Sequence, residues 1–583
     1  MWPFDDGYPQ KRIDALRTEY DYIIVGGGNA GCVLARRLSE DPRNTVLLVE
    51  RGDAGDSWLH RTPLTSFHHV SDGRHSVAME SLPDAGTGRS FTLLAGSGLG
   101  GTTRINGAQY TCGVPAEYNS WNQDGRSGWS YKELKPFFDK SEHWVGPVPR
   151  EYHGSDGPLQ VQSFPAYNFD SSRRTAEAAE RLGFPGIQDM HSPLEPSVGC
   201  NKMQFTIESS GYRSSAFRAY LPQEYVQTVG DHLHICTKTA ATRLKFATDA
   251  HDKLRAIAVE IEQGPRKRTV KARREIVLTC GALSTPKLLL LSGVGPQDHL
   301  REMGIPVVLN SPGVGESLQD HVIVATCYNS PFADSLLSLF RSPTTFVREL
   351  YKYLRYGRGW LLGTFVETEV FGISSLVGAD GKPHALRKEH EDSHDPKNLP
   401  DFGVLACPIA ANPSNPDADR SKGLFALNVG LFKSQSYGRL RLRSRDPYAH
   451  PACEMRYLTA PADLAAIRAG LRVSQQLARE ICAGGYELTA FQTPVASDDA
   501  TLDAYARAHM ETMYHYSSSC RMAPMEDSRP GVVDDELRVH GIRNLRIADA
   551  SIFPTVPATH PQALVYAIAE KCADMMRGCG VTE

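Results

Sequence analysis

No stretch of this 583-residue chain approaches the roughly 18 consecutive apolar residues that a bilayer-spanning helix needs, so a membrane span is not expected. The first twenty residues, MWPFDDGYPQKRIDALRTEY, mix acids, bases and prolines and lack the apolar centre of a secretory signal. No Asn-x-Ser/Thr acceptor with a permitted middle residue occurs, and these two absences together argue for an intracellular protein. The twelve cysteines are scattered from Cys32 to Cys579 without a single Cys-x-x-Cys pair. That excludes a disulfide scaffold and offers no zinc-ligand spacing, so no metal site is expected. Cys32, Cys280 and Cys407 fall inside apolar runs, where buried free thiols are expected. A net charge of only −4 lacks the basic excess that a nucleic-acid partner calls for. Repeats of 20–50 residues and low-complexity tracts are missing as well.

What is present is an ordinary globular balance, 41% hydrophobic and 22% charged, in a chain long enough for more than one domain. Tyr22 to Val25 form a short apolar run ending in glycines, which predicts a buried parallel strand. Residues 30–40 follow with helical spacing, Val33, Leu34 and Leu38 on one face, and Thr45 to Val49 predict a second buried strand ending at Glu50. Strand, glycine turn, helix and strand make a βαβ unit. The same texture returns in REIVLTCGALSTPKLLLLSGVG, read as strand, Ser/Thr-capped turn and helix, and again in LRIADASIFP followed by HPQALVYAIAEKCADMMRG. The expectation is a discontinuous nucleotide-binding domain over 18–150, 236–324 and 531–583. Residues 151–235 and 325–530, richer in aromatics, prolines and alternation, are expected to form a second, substrate domain with an antiparallel sheet.

Two conspicuous patterns point to nothing chemical. His390-Glu391-Asp392-Ser393-His394 satisfies the zinc-protease pattern His-Glu-x-x-His, which works only on a docked helix; here no apolar stripe flanks it and Pro396 follows at once, so a solvated loop is expected. PRKRTVKARRE, without interleaved aromatics, reads as an exposed hairpin arm.

Gly26-Gly27-Gly28-Asn29-Ala30-Gly31 fits Gly-x-Gly-x-x-Gly: Gly26 for a tight turn, Gly28 for close approach of a pyrophosphate, Gly31 for close helix–strand packing. The phosphates would lie on the helix N-terminus, and Glu50 would meet an adenosine ribose. NAD and FAD both suit this much, whereas an acid at position 50 disfavours a 2′-phosphate.

A second glycine-rich stretch, GSGLGGTTRINGAQYTCGVPAEYN from Gly96 to Asn119, has no role in an NAD domain. It resembles the first signature of the glucose–methanol–choline (GMC) oxidoreductases, and GALSTPKLLLLSGVG, Gly281 to Gly295, resembles their second. HGSDGPLQV at 153–161, GVGESLQDH at 313–321 and the last hundred residues are also similar to this family; Ser97 departs from its usual residue types. The resemblance spans nearly the whole chain and implies an α/β FAD-binding Rossmann-like domain, an α+β substrate domain with an antiparallel sheet, and extended FAD. By the same resemblance Gly26, Gly28, Asn29, Ala30, Gly31 and Glu50 hold the ADP half. Gly100, Gly101, Thr102, Asn106, Gly107 and Ala108 follow the pyrophosphate to the flavin. Ala241 meets adenine, Asp549 and Ala550 the ribityl–pyrophosphate end, and Gln562 the pyrimidine side. Family members that attach FAD covalently use a histidine just before the signature asparagine; that position is Ile105, so FAD is expected to be non-covalent.

His515 in YHYSSSCRM and His560 in ATHPQALVYAIAEK fall on both active-site positions of the family. A lone histidine is more often a satisfied core residue, but two on matching positions imply catalysis. His515 is expected to take the hydroxyl proton of an alcohol, since imidazole titrates near neutral pH. His560 is expected to orient the oxygen and stabilise alkoxide charge while hydride goes to flavin N5. Ser517-Ser518-Ser519 stand where the family often has Gly-Thr. HYSSSCRM with VVDDELRVHG looks most like fungal members that oxidise hydroxymethyl groups on aryl, furan or polyketide-like rings, and Tyr514 would fence such a ring. The expected substrate is a primary aryl, furanic or allylic alcohol, with O2 or a quinone reoxidising the flavin. The alternatives are a non-redox enzyme on the same scaffold, such as a hydroxynitrile lyase or cyclase, a light-driven decarboxylase, or a silent flavin-binding protein.

Overall fold

The computed structural model describes residues 7–70, 72–147, 151–249, 251–384, 387–410 and 415–578. Its organising element is the strand Glu19–Val25, whose last six residues are all buried. A strand buried on both faces reads as a continuous apolar run, as Tyr-Ile-Ile-Val does. It pairs in parallel with Val46–Val49 on one side and with Arg266–Leu278 on the other. Leu233–Cys236 continues the sheet beyond Val46–Val49, and Leu545–Ile547 lies along the end of Arg266–Leu278. Ala240–Thr248 and Leu254–Gln263 complete a seven-stranded sheet among the described residues, the latter folding back on Arg266–Leu278 as the expected basic hairpin. The helix Asn29–Ser39 packs on this sheet and on the C-terminal helix Gln562–Gly578. Arg37 forks onto the buried carboxylate of Glu570 at 2.8–3.0 Å, so the two ends of the chain are locked together by a bidentate ion pair.

The second sheet is antiparallel except at its edge. Its order is Thr489–Gln492, Val322–Ser330, Gly423–Leu431, Phe402–Cys407, Thr368–Gly372, Gly199–Lys202 and Gly186–Ile187, with Met510–Thr512 paired to Val322–Ser330. Side chains alternate faces along a strand. Val370, Val404, Ala406, Leu427 and Val429 therefore meet the helices Pro461–Ala483 and Asp170–Leu182 in the main core. Phe371 and Leu405 turn the other way, into a small cluster with Phe432 and Ala558. That second face looks at the nucleotide-binding half.

The expected boundaries need two corrections. The division at 235/236 cuts through Leu233–Cys236, which belongs to the first sheet because its four buried residues complete the parallel ladder beside Val46–Val49. The division at 324/325 cuts through Val322–Ser330, a single strand of the second sheet. The Ser/Thr cap expected before the helix Thr285–Leu291 is also absent: Ser284 makes no side-chain cap. Thr285 instead donates its hydroxyl to Asp549, at 2.7 Å. The His390–His394 stretch is 3-10 and turn, with both histidines at or near the surface.

Candidate active site

The turn between the first strand and helix is built by contact, residue by residue. Gly26 has φ +106°, a conformation costly for any residue with a Cβ. A Cβ on Gly31 would stand 1.9 Å from the Gly26 carbonyl oxygen, so the helix can start this close to the strand only with glycine there. Gly28 differs, since a Cβ there would find no protein atom nearer than 3.9 Å. The 96–108 loop closes on this turn: Gly100 N–H donates to Gly27 O at 2.7 Å, and a Cβ on Gly101 would meet Gly28 Cα at 2.8 Å. Glu50 accepts backbone N–H bonds from Gly27, Gly52 and Gly98 at 2.7, 2.7 and 3.0 Å. Thr239, two residues before Ala241, donates its amide to the Glu50 carbonyl.

Asn29, Asn106 and Gln562 converge from far apart in sequence. Asn29 Nδ2 donates to the Gln562 carbonyl at 3.2 Å, and Asn106 Nδ2 donates to Gln562 Oε1 at 3.0 Å. Asn106 Oδ1 in turn accepts from Ala108 N–H and from Arg213. Ala108 itself has φ +59°. Thr102 lies exposed on the 3-10 turn Gly101–Arg104, Ala30 is buried in the helix, and Gly107 lies between Asn106 and Ala108. Asp549 takes amide bonds from Gly281 and Ser551 besides the Thr285 hydroxyl, and burial pushes its carboxyl up. Ala550 accepts the Ser518 amide through its carbonyl.

His515 and His560 stand face to edge, ring centroids 5.4 Å apart at 90°. Each is held by groups to which no role was assigned at the level of sequence. His515 donates its backbone N–H to the buried carboxylate of Asp320 at 2.7 Å. Asp320 also accepts the hydroxyls of Thr512 and Tyr457, and burial nevertheless raises its pKa to about 7. Tyr514 and Ser518, on either side of His515, have φ +61° and +66°, a strain that persists where surroundings over-determine the backbone. Ser519 anchors to Ala282 O at 2.6 Å, so the serines that replace Gly-Thr are tied to the second glycine signature.

His321 is the third histidine. Its Nε2 lies 3.1 Å from the Phe432 carbonyl, which can only accept, so Nε2 carries the hydrogen. Its Nδ1 then holds a lone pair, and the 3.0 Å contact to His515 Nδ1 makes that nitrogen of His515 the donor. His515 Nε2 is left with a free lone pair. Burial, then His321 and His560, hold the His515 pKa well below 6.5, keeping the ring neutral. His560 Nε2 meets Glu369 Oε2 at 3.2 Å; Glu369 is fully buried and its other oxygen has no hydrogen-bond partner. Asp320 and His321 were within reach, since both end the motif GVGESLQDH. Glu369 sits in a strand with no local signature. Phe371, Phe432 and Leu405 wall this side, Met513 packs against them, and Tyr514, 43% exposed, stands at the rim.

Comparison with known proteins agrees with this architecture. The GMC oxidoreductase family models match residues 20–323 and 434–569. The chain belongs to the GMC oxidoreductase family. It is 35% identical over 570 residues to an oxygen-dependent choline dehydrogenase of Burkholderia multivorans, covering 96% of this chain and 94% of that one. A Chromohalobacter salexigens protein of the same name is 34% identical, with 96% and 95% covered. Among solved structures, formate oxidase superposes with a TM-score of 0.84 at 25% identity, over 96% of this chain and 98% of that chain. Pyridoxine 4-oxidase from Mesorbium loti gives 0.81 at 25%, over 96% and 100%. A fungal aryl-alcohol oxidase, at 0.78 and 24% identity over 96% and 99%, shares the fold.

A GMC oxidoreductase acts on alcohols with FAD, and the residues present suit that group. The open side of Gly28 and the amides at the start of Asn29–Ser39 suit a pyrophosphate, whose oxygens need donors and room for close approach. The two glycines predict opposite failures. Gly28→Val is expected to fold, with a melting temperature near that of wild type stripped of FAD, yet purify without yellow colour. Gly31→Ala is expected to lose folded protein outright, because its Cβ has no room. A yellow Gly28→Val enzyme would dismiss the cradle assignment.

Proposed function

We propose that this enzyme oxidises a primary aryl, furanic or allylic alcohol to the aldehyde, with His515 as base and His560 as its partner. One observation carries the reading: the chain Phe432 O, His321, His515 commits Nδ1 of His515 and leaves Nε2 as the one nitrogen able to take a hydroxyl proton. Bound FAD, non-covalent with Ile105 before Asn106, supplies the hydride acceptor. His560, its Nε2 held by Glu369, turns Nδ1 toward the substrate oxygen and orients it beside His515. Phe371, Phe432, Leu405 and Met513 exclude water from the carbon that gives up hydride, and Tyr514 closes on a planar ring. His321 and Asp320 are positioning residues, acting through His515.

A quaternary-ammonium alcohol is the second reading. It is favoured by the activity named for the Burkholderia relative and by the buried Glu369 oxygen that lacks a partner. Anaerobic titration of the purified enzyme with benzylic, furanic and aliphatic alcohols and with choline separates the two by which donor bleaches the flavin bands. Admission of air then reports the acceptor: rapid return of colour means O2, slow return a quinone. Failure of every alcohol to bleach the flavin would favour a lyase-like enzyme.

His515→Ala should slow flavin reduction by about 10² or more, the usual scale for loss of a general base, with FAD retained. Unchanged reduction would remove His515 from the mechanism. The lowered His515 pKa has a definite sign: a base neutral to lower pH keeps working there, so the acid limb of kcat/KM should lie below pH 6.5. His321→Phe removes the tautomer lock while keeping the ring buried, so reduction should slow by about 10–100-fold and the acid limb should not return toward pH 6.5. His321→Gln can still donate to Phe432 O and accept from His515, and should recover most of the rate. A wild-type reduction rate in His321→Phe would refute the positioning role.

A further inference from the structure

Away from the flavin site, three histidines meet in the segment after Glu50. His60 lies on the helical turn Trp58–Arg61, His69 on the 3-10 turn Leu64–Val70, and His75 just before the strand Ser76–Glu80. One ring nitrogen from each lies within 4.8 Å of the others. His60 Nε2 is 3.0 Å from His75 Nε2, and all three rings have centroids 4.2–4.5 Å apart. His69 and His75 are buried, His60 partly so.

One carboxylate orders the group. Asp72 Oδ2 meets Nδ1 of His69 at 2.9 Å and Nδ1 of His75 at 2.5 Å, while Oδ1 takes the amides of Arg74 and His75, both at 2.9 Å. A carboxylate only accepts, so both Nδ1 atoms carry hydrogen and the ring lone pairs are on Nε2, that of His75 facing His60. A carboxylate behind each imidazole is the arrangement by which metal-ligating histidines are oriented and made more basic. Asp53 Oδ1 stands 3.8 Å from His75 Nε2.

We propose that His60, His69 and His75 bind one borderline divalent metal ion, zinc above all, through their Nε2 atoms, with Asp53 or water as fourth ligand. Neutral imidazoles behind a carboxylate select zinc and its neighbours over calcium or magnesium, which take oxygen ligands. Tetrahedral bonds of about 2.0–2.1 Å separate ligand nitrogens by about 3.3 Å, close to the spacing of His60 and His75. The third ring must turn, because His60 and His69 lie parallel within 6°. The proton balance closes. Without metal, His60 Nδ1 accepts the Ser57 amide at 3.1 Å, so its hydrogen is on Nε2 toward His75. On binding, that hydrogen moves to Nδ1, where Ser57 Oγ at 2.8 Å accepts it, and three neutral ligands face the ion. The charges around the site offset one another: Asp53 and Asp72 are the acids, Arg74 forks onto Asp53, and Arg104 is held by the carbonyls of Gly55 and Leu99.

Such an ion staples three short elements to Asp53, three residues beyond Glu50, and so braces one wall of the nucleotide cradle. The sequence led to the expectation of no metal site, because the cysteines lack ligand spacing and His-x8-His-x5-His matches no familiar pattern. The test uses FAD-loaded enzyme stripped with a chelator and dialysed against Zn(II) or Co(II), with bound metal counted and the Co(II) ligand-field bands recorded. One equivalent per chain is expected, with the bands of a low-coordinate nitrogen–oxygen site. His75→Ala should abolish it, and Asp72→Asn, which keeps the shape, should weaken it about 10–100-fold. The double variant His390→Ala/His394→Ala should bind as wild type does. No stoichiometric metal in the wild type, binding unchanged in Asp72→Asn, or binding lost in the His390/His394 variant would each overturn the proposal. Asp72→Asn decides the matter should His75→Ala not fold.

Discussion

Much of this molecule hangs on the carboxylate of Glu50. Its two oxygens take the amides of Gly27, Gly52 and Gly98, which belong to three separate loops. Hydrogen bonds to an ionised group are worth about 1.5–3 kcal/mol each, and a buried one left unmade costs comparably. The acid therefore fixes the position of the first glycine turn relative to the second. Close approach follows from that fixed position: Gly100 bonds to Gly27, Gly101 abuts Gly28, and Gly31 sits against Gly26 where no Cβ fits. A carboxylate has about four lone-pair sites. Three are spent on glycine amides, and one is left for a ribose hydroxyl in the proposed cofactor pose.

From the cradle the order passes to the histidines along the backbone. Asp549 fastens the turn Ala550–Ile552 to Gly281 and Thr285, beside the parallel sheet. The 518–522 stretch then runs along that turn, Ser518, Cys520 and Met522 donating their amides to Ala550, Ser551 and Ile552. His515 hangs between this ladder and Asp320, which enters from the segment leading into the second sheet. Two left-handed residues, Tyr514 and Ser518, mark where the backbone bends to satisfy both holds. The C-terminal helix brings His560 and Gln562 in from the far side, and the Arg37–Glu570 pair locks that helix to the glycine-turn helix. Chain positions five hundred residues apart are thus set by short polar contacts.

What the sequence discloses follows the same division. The glycine spacing, the βαβ texture and the two histidine motifs are local, because each expresses a backbone or helix requirement within a few residues. The strand Leu233–Cys236 was assigned to the wrong half because a four-residue apolar strand carries no mark of which sheet it will join. Glu369 was invisible for a related reason: only the pairing of Thr368–Gly372 with Phe402–Cys407 turns it toward His560. His321 lay in a quoted motif, yet its significance depends on a carbonyl, that of Phe432, which no side-chain pattern encodes. The His390–His394 pattern is the converse case, a familiar spacing on a turn that cannot bring the rings together.

The geometry also separates what is fixed from what is free to vary. His515 and His560 are tied to the nucleotide-binding half by amide ladders and a helix terminus. The opposite wall is one face of the antiparallel sheet, where alternation sends Phe371 and Leu405 toward the histidines and Val370 and Val404 into the core behind. A change at Phe371 alters the wall without touching the core, whereas a change at Val370 disturbs packing against the helix Asp170–Leu182 and leaves the wall alone. In the proposed reaction, substrate preference can therefore drift along every second residue of three strands while the histidines, Asp320 and Glu50 stay where they are. Glu369 is the exception on that face. It shares the wall with Phe371 but is bonded to His560, so a substitution there changes the wall and the histidine at once. In the proposed reaction this couples the choice of alcohol to the group that holds its oxygen.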